Sequence, residues 1–212
     1  EYGQTAVVAN FACSRPHRNV AWQWFQGAAH GGAVLALLPL PGDHASMVWS
    51  TGTAHAERLL ALDGDALARE AAAAAQHALG EFSLVTAARG FALRRLAAER
   101  LVAPRVALAG DAAHVIHPLA GQGANLGLQD ARLLAEVLAA RAPGRDPGDL
   151  RLLRRYERSR AEALLAMSAT VHGLHRLFGS PLPAAARLRN AGLNFADRLP
   201  VLKNLLMRHA MG

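Results

Sequence analysis

The stretch RVALAGDAAHVIHPLAGQGANLGLQD, residues 105–130, decides the fold of this chain. It opens with an apolar run that predicts a short buried strand over 105–109. Gly110 and Asp111 follow at the carboxyl end of that strand, where open α/β sheets bind their ligands. A carboxylate in this place suits a ligand with several hydroxyl groups, because a charged acceptor makes a strong hydrogen bond.

A Gly-rich loop and a helix complete the stretch. Gly121 and Gly123 come just before a helix predicted over 124–140. Glycine lets a backbone approach a flat or anionic ligand closely. The first turn of a helix offers free N–H groups and a partial positive charge. Together these features predict a site that stabilises negative charge, including the charge of a reduced flavin ring.

A metal site is the alternative interpretation of the same residues. Asp111, His114 and His117 form a D-x-x-H-x-x-H pattern that could hold a metal ion. A metal would leave the following glycines unexplained, whereas a flavin explains them. We therefore predict no metal site and interpret the two histidines as structural residues or as polar neighbours of the flavin.

The segment His117–Asp130, HPLAGQGANLGLQD, resembles the second FAD motif of the flavin-dependent aromatic hydroxylases related to p-hydroxybenzoate hydroxylase. Within that superfamily it is similar to the signature of the ubiquinone-biosynthesis hydroxylases, which act on polyprenylated phenols. The resemblance covers nearly the whole chain, since shorter stretches share it: Tyr2–Gln4, Val7–Ala9, Leu38–Leu40, Val48–Ser50 and Arg155–Arg160.

The resemblance implies a cofactor, a reaction and roles for individual residues. Asp111, preceded by Gly110, would bind the ribityl or ribose hydroxyls of FAD. The other motif residues would lie along the isoalloxazine ring, with backbone N–H groups near its pyrimidine edge: Pro118, Gly121, Gln122, Gly123, Ala124 and Asn125. The family uses NAD(P)H and O₂ to hydroxylate a phenol. Because the cofactor carries that chemistry, no acid–base catalytic residue is assigned.

The family pattern also includes a segment that this chain lacks. Family members begin with a βαβ unit whose G-x-G-x-x-G holds the FAD pyrophosphate, and no such motif occurs here. They are also roughly twice as long, above the usual size of one domain. The resemblance therefore implies that the chain is the C-terminal half of such an enzyme. The intact enzyme would bind FAD, and the half alone would be inactive.

The rest of the chain predicts an α+β fragment of that fold, with an antiparallel substrate-side sheet. Strands and one helix follow from apolar alternation and helical spacing. The strands are predicted over 5–11, 20–25, 33–40 and 46–51, the helix over 65–79, and a further extended segment over 82–93.

Three domains are predicted from these elements. Residues 1–100 would form the substrate-binding domain and residues 101–141 the C-terminal part of the FAD-binding domain. Residues 142–212 would form a helical region. It begins with a Pro/Gly-rich linker, and Asp149 would cap a helix over 150–178.

Four aromatic residues of the first domain are substrate-site candidates: Trp22, Trp24, Phe25 and Trp49. They could line an aromatic substrate pocket, or they could pack within the sheet, and the sequence favours neither alternative. Strand alternation places Trp22 and Trp24 on one face and Phe25 on the other.

The charge of the chain is uneven. The net charge is +7, yet residues 151–212 carry eleven basic and only three acidic side chains. A solvated helix face is the main interpretation for five of the arginines, with Glu157 and Arg160 paired at i, i+3. A peripheral contact of 151–212 with an anionic membrane is the alternative. Nucleic-acid binding is not expected, because the block has no recognised fold or interleaved aromatics.

Location and partners follow from absent signals and from the resemblance. The single cysteine, Cys13, excludes an internal disulfide, and the longest apolar run, 33–40, is shorter than the ~20 residues that span a bilayer. We expect a cytoplasmic protein, peripheral on the inner face of the cytoplasmic membrane, that joins an oligomer or a ubiquinone-biosynthesis complex. The functional alternatives are another flavin-dependent phenol hydroxylase and, for the isolated chain, a non-catalytic basic interaction module.

Overall fold

The computed structural model describes residues 3–26, 33–115 and 123–161. They belong to two compact units that divide between Leu93 and Arg94. Each unit combines helices and strands, so the predicted α+β class is confirmed. The three-part domain division stays a prediction.

A five-stranded antiparallel sheet forms the first unit. Its strands lie where the sequence predicts extended segments: β1 (Gln4–Cys13), β2 (Trp22–Phe25), β3 (Val34–Leu40), β4 (His44–Gly52) and β5 (Phe82–Leu93). Their order across the sheet is β2-β3-β4-β1-β5. Each strand is antiparallel to its neighbours. In this order β1 lies between β4 and β5, although β5 follows it by many residues.

Two helices, α1 (Thr53–Leu60) and α2 (Gly64–Ala74), pack on one face of this sheet. The core between them is mainly apolar, because every second strand residue faces the buried helix stripes. Fully buried members from both layers include Val7, Phe11, Leu35, Met47, Leu59 and Leu67.

The helix predicted over 65–79 is shorter than expected, and a second helix was missed. The Asp63 carboxylate caps α2 by accepting the Ala66 N–H at 2.7 Å. The helix ends at Ala74 because Gln76 and His77 adopt left-handed backbone, with φ of 53° and 51°, ahead of Gly80. The missed helix, α1, follows Gly52 and has no side-chain cap to mark its start.

The second unit combines helices with short pairs of antiparallel strands. Its described elements are β6 (Leu96–Ala97), β7 (Val102–Ala103), β8 (Val106–Ala107), β9 (His114–Val115), α3 (Gly123–Ala139) and α4 (150–161). The strands form two antiparallel pairs, β6 with β9 and β7 with β8. The apolar core of this unit includes Leu101, Val102, Val137, Leu152 and Tyr156.

The prediction of a buried strand over 105–109 is wrong. Only Val106–Ala107 is a strand, and it pairs with β7 across a turn at Pro104 and Arg105. Arg105 has a φ of 63°, which ends the extended run at its first residue. Val106 is half exposed because the hairpin offers it no covering layer among the described residues.

The predictions for α3 and for the start of α4 are confirmed. α3 matches the helix predicted over 124–140 within one residue. The Asp149 carboxylate accepts the Arg151 N–H at 2.7 Å and so caps α4. The rest of the helix predicted to residue 178, with all of 162–212, lies outside the described residues. Among the described helices, none is long and apolar enough to cross a membrane.

Candidate functional site

The chain reverses direction at a one-turn 3-10 helix, Gly110–Ala112. Gly110 has a φ of 58°, a conformation that favours glycine, and its carbonyl accepts the Ala113 N–H at 2.9 Å. Asp111 is exposed, and no described residue makes a hydrogen bond or ion pair with its carboxylate. The turn therefore presents an unpaired carboxylate on a constrained backbone.

The turn touches α3 through two glycines. A Cβ placed on Gly127 would lie 3.3 Å from the Cα of Gly110, so side chains are excluded from this contact. The first turn of α3 contains Gly123, Ala124 and Asn125, and a Cβ on Gly123 would have no atom of the described residues within 4 Å. The structure thus brings Gly110, Asp111 and the helix that begins at Gly123 into one region. Pro118, Gly121, Gln122 and His117 lie outside the described residues.

A buried ionic cluster lies beneath the turn. Asp130 of α3 is fully buried, and its Oδ2 accepts the Gly110 N–H at 2.8 Å and lies 2.7 Å from His114 Nε2. Its Oδ1 lies 2.5 Å from Arg160 Nε of α4. Neither of these last two atoms has a hydrogen-bond partner in the described chain, so the contact is an ion pair without hydrogen-bond geometry.

The cluster corrects the interpretation of Arg160. The sequence predicts this arginine on a solvated face, paired with Glu157. In the structure Arg160 is buried against Asp130, while the Glu157 carboxylate accepts the Leu101 N–H at 2.9 Å. The other four arginines of α4 are exposed, as a solvated face requires: Arg151, Arg154, Arg155 and Arg158.

A sequence signal for the cluster does exist. Asp130 lies at helical spacing between the buried residues Leu126 and Val137, and Arg160 extends the buried stripe of Tyr156 in the same way. A charged residue on the apolar face of a helix needs a buried partner of opposite charge. Reading the two stripes together would have predicted the Asp130–Arg160 pair.

Tyr156 holds the segment just before the turn. Its hydroxyl donates to the Leu108 carbonyl at 2.8 Å from a fully buried ring. Burial, followed by the nearby Asp130 carboxylate, raises the pKa of Tyr156 to about 12. The phenol therefore stays protonated and remains a hydrogen-bond donor at physiological pH.

The four aromatic candidates do not form one cluster. Trp22 and Trp24 stack with ring centroids 5.9 Å apart. Trp24 and Trp49 both pair with Leu35 across the sheet, on the face that α1 and α2 cover. Trp49 is almost fully buried there, which fits the packing alternative. Phe25 lies on the opposite face, as alternation predicts, and is 42% exposed.

A polar cavity of about 590 Å³ opens in the first unit beside α1 and α2. His55, Arg58 and Glu70 line it together with Trp49. Arg58 makes two hydrogen bonds to the Glu70 carboxylate, and these hold the pKa of Glu70 below its usual value. No predicted flavin-site residue lines this cavity.

Comparisons with known proteins bear on both units. The chain is 40% identical over 212 residues to ubiquinone hydroxylase UbiL of Rhodospirillum rubrum, which covers 100% of this chain and 48% of that protein. It is 34% identical over 215 residues to 3-demethoxyubiquinol 3-hydroxylase of Escherichia coli, covering 100% and 53%. The chain thus spans about half the length of the curated relatives it matches.

Solved structures share the fold. PqsL of Pseudomonas aeruginosa, in complex with 2-aminobenzoylacetate, matches with a TM-score of 0.66 at 26% identity, over 84% of this chain and 49% of that one. HpxO of Klebsiella pneumoniae, complexed with FAD and uric acid, has a TM-score of 0.66 at 17% identity, over 96% and 51%. At that identity the likeness concerns the fold alone.

The family model described as the FAD binding domain matches residues 3–170. That range includes the whole sheet of the first unit, the turn at Gly110–Ala112 and the helices α3 and α4. Because the match extends over both described units, the chain belongs to the FAD binding domain family.

Proposed function

We propose that this chain is the C-terminal part of an FAD-dependent monooxygenase that uses NAD(P)H and O₂ to hydroxylate a polyprenylated phenol in ubiquinone biosynthesis. The observation that carries the proposal is the exposed Asp111 carboxylate, which has no partner among the described residues, on the constrained turn beside α3. The names of the relatives, a ubiquinone hydroxylase and a demethoxyubiquinol hydroxylase, support the substrate class.

The residues at the turn fit an FAD molecule. An exposed carboxylate can accept hydrogen bonds from ribityl or ribose hydroxyls, and no atom of the described residues lies within 4 Å of a Cβ at Gly123, which favours the approach of a flat ring. The first-turn N–H groups of Gly123 and Ala124 have no i−4 partner within α3 and would stabilise negative charge near them. Pro118, Gly121 and Gln122 stay predicted ring contacts.

The protein's own contribution is position and electrostatics. When bound, FAD supplies the redox chemistry, with NAD(P)H as reductant and O₂ as the source of the inserted oxygen. Asp111 would fix the cofactor by its hydroxyls, and the positive end of α3 would favour the anionic reduced ring. Of the four aromatic candidates, Phe25 is the one we propose as a substrate contact, because it is 42% exposed and lies on the sheet face opposite to the one that α1 and α2 cover.

The test is product analysis with the full-length protein. Supplied with FAD, NAD(P)H and O₂, it should convert a polyprenylated phenol to a product heavier by one oxygen atom. A matched phenol without the prenyl chain should react more slowly. Faster reaction of the short phenol would identify a hydroxylase of soluble phenols and overturn the substrate class proposed here.

A flavin titration complements that assay. We expect no saturable FAD binding by the 212-residue chain, and saturable binding by the full-length protein. Asp111→Asn in the full-length protein should weaken binding about tenfold, because one charged acceptor is lost. Unchanged affinity in this variant would remove Asp111 from the proposed site.

We also propose a peripheral position at the inner face of the cytoplasmic membrane, within a ubiquinone-biosynthesis complex. The exposed arginines of α4 and a lipid substrate support this proposal. Co-sedimentation should be stronger with anionic vesicles than with zwitterionic ones and should weaken in high salt. Equal binding to both vesicle types would contradict the membrane contact.

A further inference from the structure

We propose that Asp130 is the positioning residue of the FAD site: its buried carboxylate fixes the Gly110 backbone and thereby sets where Asp111 stands relative to α3. This inference rests on the proposed function, because it names the residue that holds the predicted FAD ligand in place. Neither the family match nor the names of the relatives assigns Asp130 a role.

The two carboxylate oxygens of Asp130 have different partners. Oδ2 accepts the Gly110 N–H at 2.8 Å and lies 2.7 Å from His114 Nε2, on the far side of the turn. Oδ1 faces Arg160 of α4. One side chain of α3 therefore ties together both ends of the turn and a second helix.

Stability alone does not require a carboxylate at the position of Asp130. Asp130 is fully buried and continues the apolar stripe of Leu126 and Val137, where a leucine would suit the packing. A buried ion pair is often no more stabilising than apolar side chains of similar volume. What the carboxylate adds is an acceptor aimed at one particular backbone N–H, that of Gly110.

The contacts that hold the backbone around Gly110 also restrict Asp111. The Gly110 peptide is held at its N–H by Asp130 and at its carbonyl by the Ala113 N–H. The Leu108 carbonyl is held by Tyr156, and Gly127 packs against the Cα of Gly110. With its neighbours fixed on both sides, Asp111 projects from a backbone with little freedom to move.

Two paired substitutions in the full-length protein separate the acceptor from the charge. In Asp130→Leu/Arg160→Met both charges are replaced by apolar groups, so we expect the fold to be kept while the Gly110 N–H and His114 Nε2 both lose their partner on Asp130. We expect the FAD dissociation constant to rise about tenfold or more. Asp130→Asn/Arg160→Met is equally uncharged but keeps an amide oxygen for Gly110, and should restore the affinity to within about threefold of the unmodified protein.

The matched control is Glu136→Gln. It also removes one carboxylate from α3, but at an exposed position where the partner is Arg132. Its FAD affinity should stay within about twofold of the unmodified protein. The thermal midpoint of each variant without FAD shows whether a loss of affinity merely follows a loss of folding.

A measurement on the unmodified protein without FAD needs no variant. Residue-resolved hydrogen exchange should show the Gly110 amide protected about 100-fold more than the amides of Asp111 and Ala112, because Asp130 accepts its hydrogen bond. This result does not depend on flavin binding or on any substitution.

Three outcomes decide the inference. Loss of affinity in the Leu/Met pair with recovery in the Asn/Met pair, together with a protected Gly110 amide, supports it. Equal affinity in the two pairs, or a Gly110 amide as fast as that of Asp111, overturns it. Absence of FAD binding by the unmodified protein overturns the proposed function as well, and is recognised before any variant is made.

Discussion

The two described units have cores of different kinds. The first unit buries a continuous apolar layer between its sheet and the helices α1 and α2. The second unit has a smaller apolar core and, beside it, a fully buried carboxylate paired with an arginine and a histidine. Apolar burial is non-directional, whereas buried charges stabilise only one geometry. The difference indicates that the first unit is built for stability and the second for the placement of particular groups.

The largest effect should come from the apolar core. Phe11→Ala removes a fully buried ring that stacks on Phe82 at a centroid distance of 5.4 Å, and should lower the free energy of unfolding by about 4 kcal/mol. Denaturant titration measures it. Phe91→Ala is the matched control, since that ring is 55% exposed. Equal losses in the two variants would contradict the assignment of Phe11 to the core.

The ionic core should respond differently to single and paired changes. Arg160→Met removes the guanidinium that faces Oδ1 of the buried Asp130 and leaves that carboxylate with only His114 and the Gly110 N–H, so it should lower the free energy of unfolding by about 3 kcal/mol. Adding Asp130→Leu should recover most of that loss, because the unpaired charge disappears. If the double variant is as unstable as the single one, the cluster contributes to stability rather than to geometry.

A glycine substitution tests packing at the edge of the first unit. Gly80 has a φ of 75°, and a Cβ there would lie 2.1 Å from Ser14 Oγ. Gly80→Ala should therefore lower the free energy of unfolding by about 2 kcal/mol, from backbone strain and the clash together. Gly144→Ala isolates the strain, about 1 kcal/mol, because its φ is 77° and nothing lies near its Cβ. Thermal or denaturant unfolding measures both losses. Equal decreases in the free energy of unfolding would refute the clash.

The smallest effect is a pH dependence at the surface of the first unit. Arg58 lowers the pKa of Glu70 below its usual value of 4.5, so the pair adds stability above that pH and loses it as the pH falls through the lowered pKa. Glu70→Gln should lower the free energy of unfolding at pH 7 by less than about 1 kcal/mol, since the pair is partly exposed. As the pH falls from 4.5 through the lowered pKa, the free energies of unfolding of the variant and the unmodified protein should converge. A constant difference across that range would exclude the ionised pair as the cause.

Sequence reasoning succeeded where one local signal decides the structure. Strand alternation located β1 to β5, and the acidic residue before α4 marked its start. It failed where the structure depends on contacts between distant residues. Arg160 resembles a surface arginine until its distance from Asp130 is known. The run over 105–109 reads as a strand, but the left-handed Arg105 turns it into a hairpin.

The candidate site divides in the same way. Local residue types predicted Asp111 and the start of α3, because a carboxylate after Gly110 suits the hydroxyl groups of a ligand and a Gly-rich loop before a helix suits its negative charge. The signature did not indicate that Asp130, its last residue, accepts the Gly110 N–H. That contact depends on the chain folding back over twenty residues, which no local pattern encodes.

The position of β1 in the sheet has a consequence for how the chain folds during synthesis. β1 can pair with β4 as soon as residue 52 has left the ribosome, but its other edge stays open until β5 has been made. An open central strand edge is a template for pairing with other chains, and nascent chains lengthen by only about 5–20 residues each second. We therefore expect this edge of β1 to be exposed for seconds during synthesis, and a chaperone that covers it should raise the yield of folded protein.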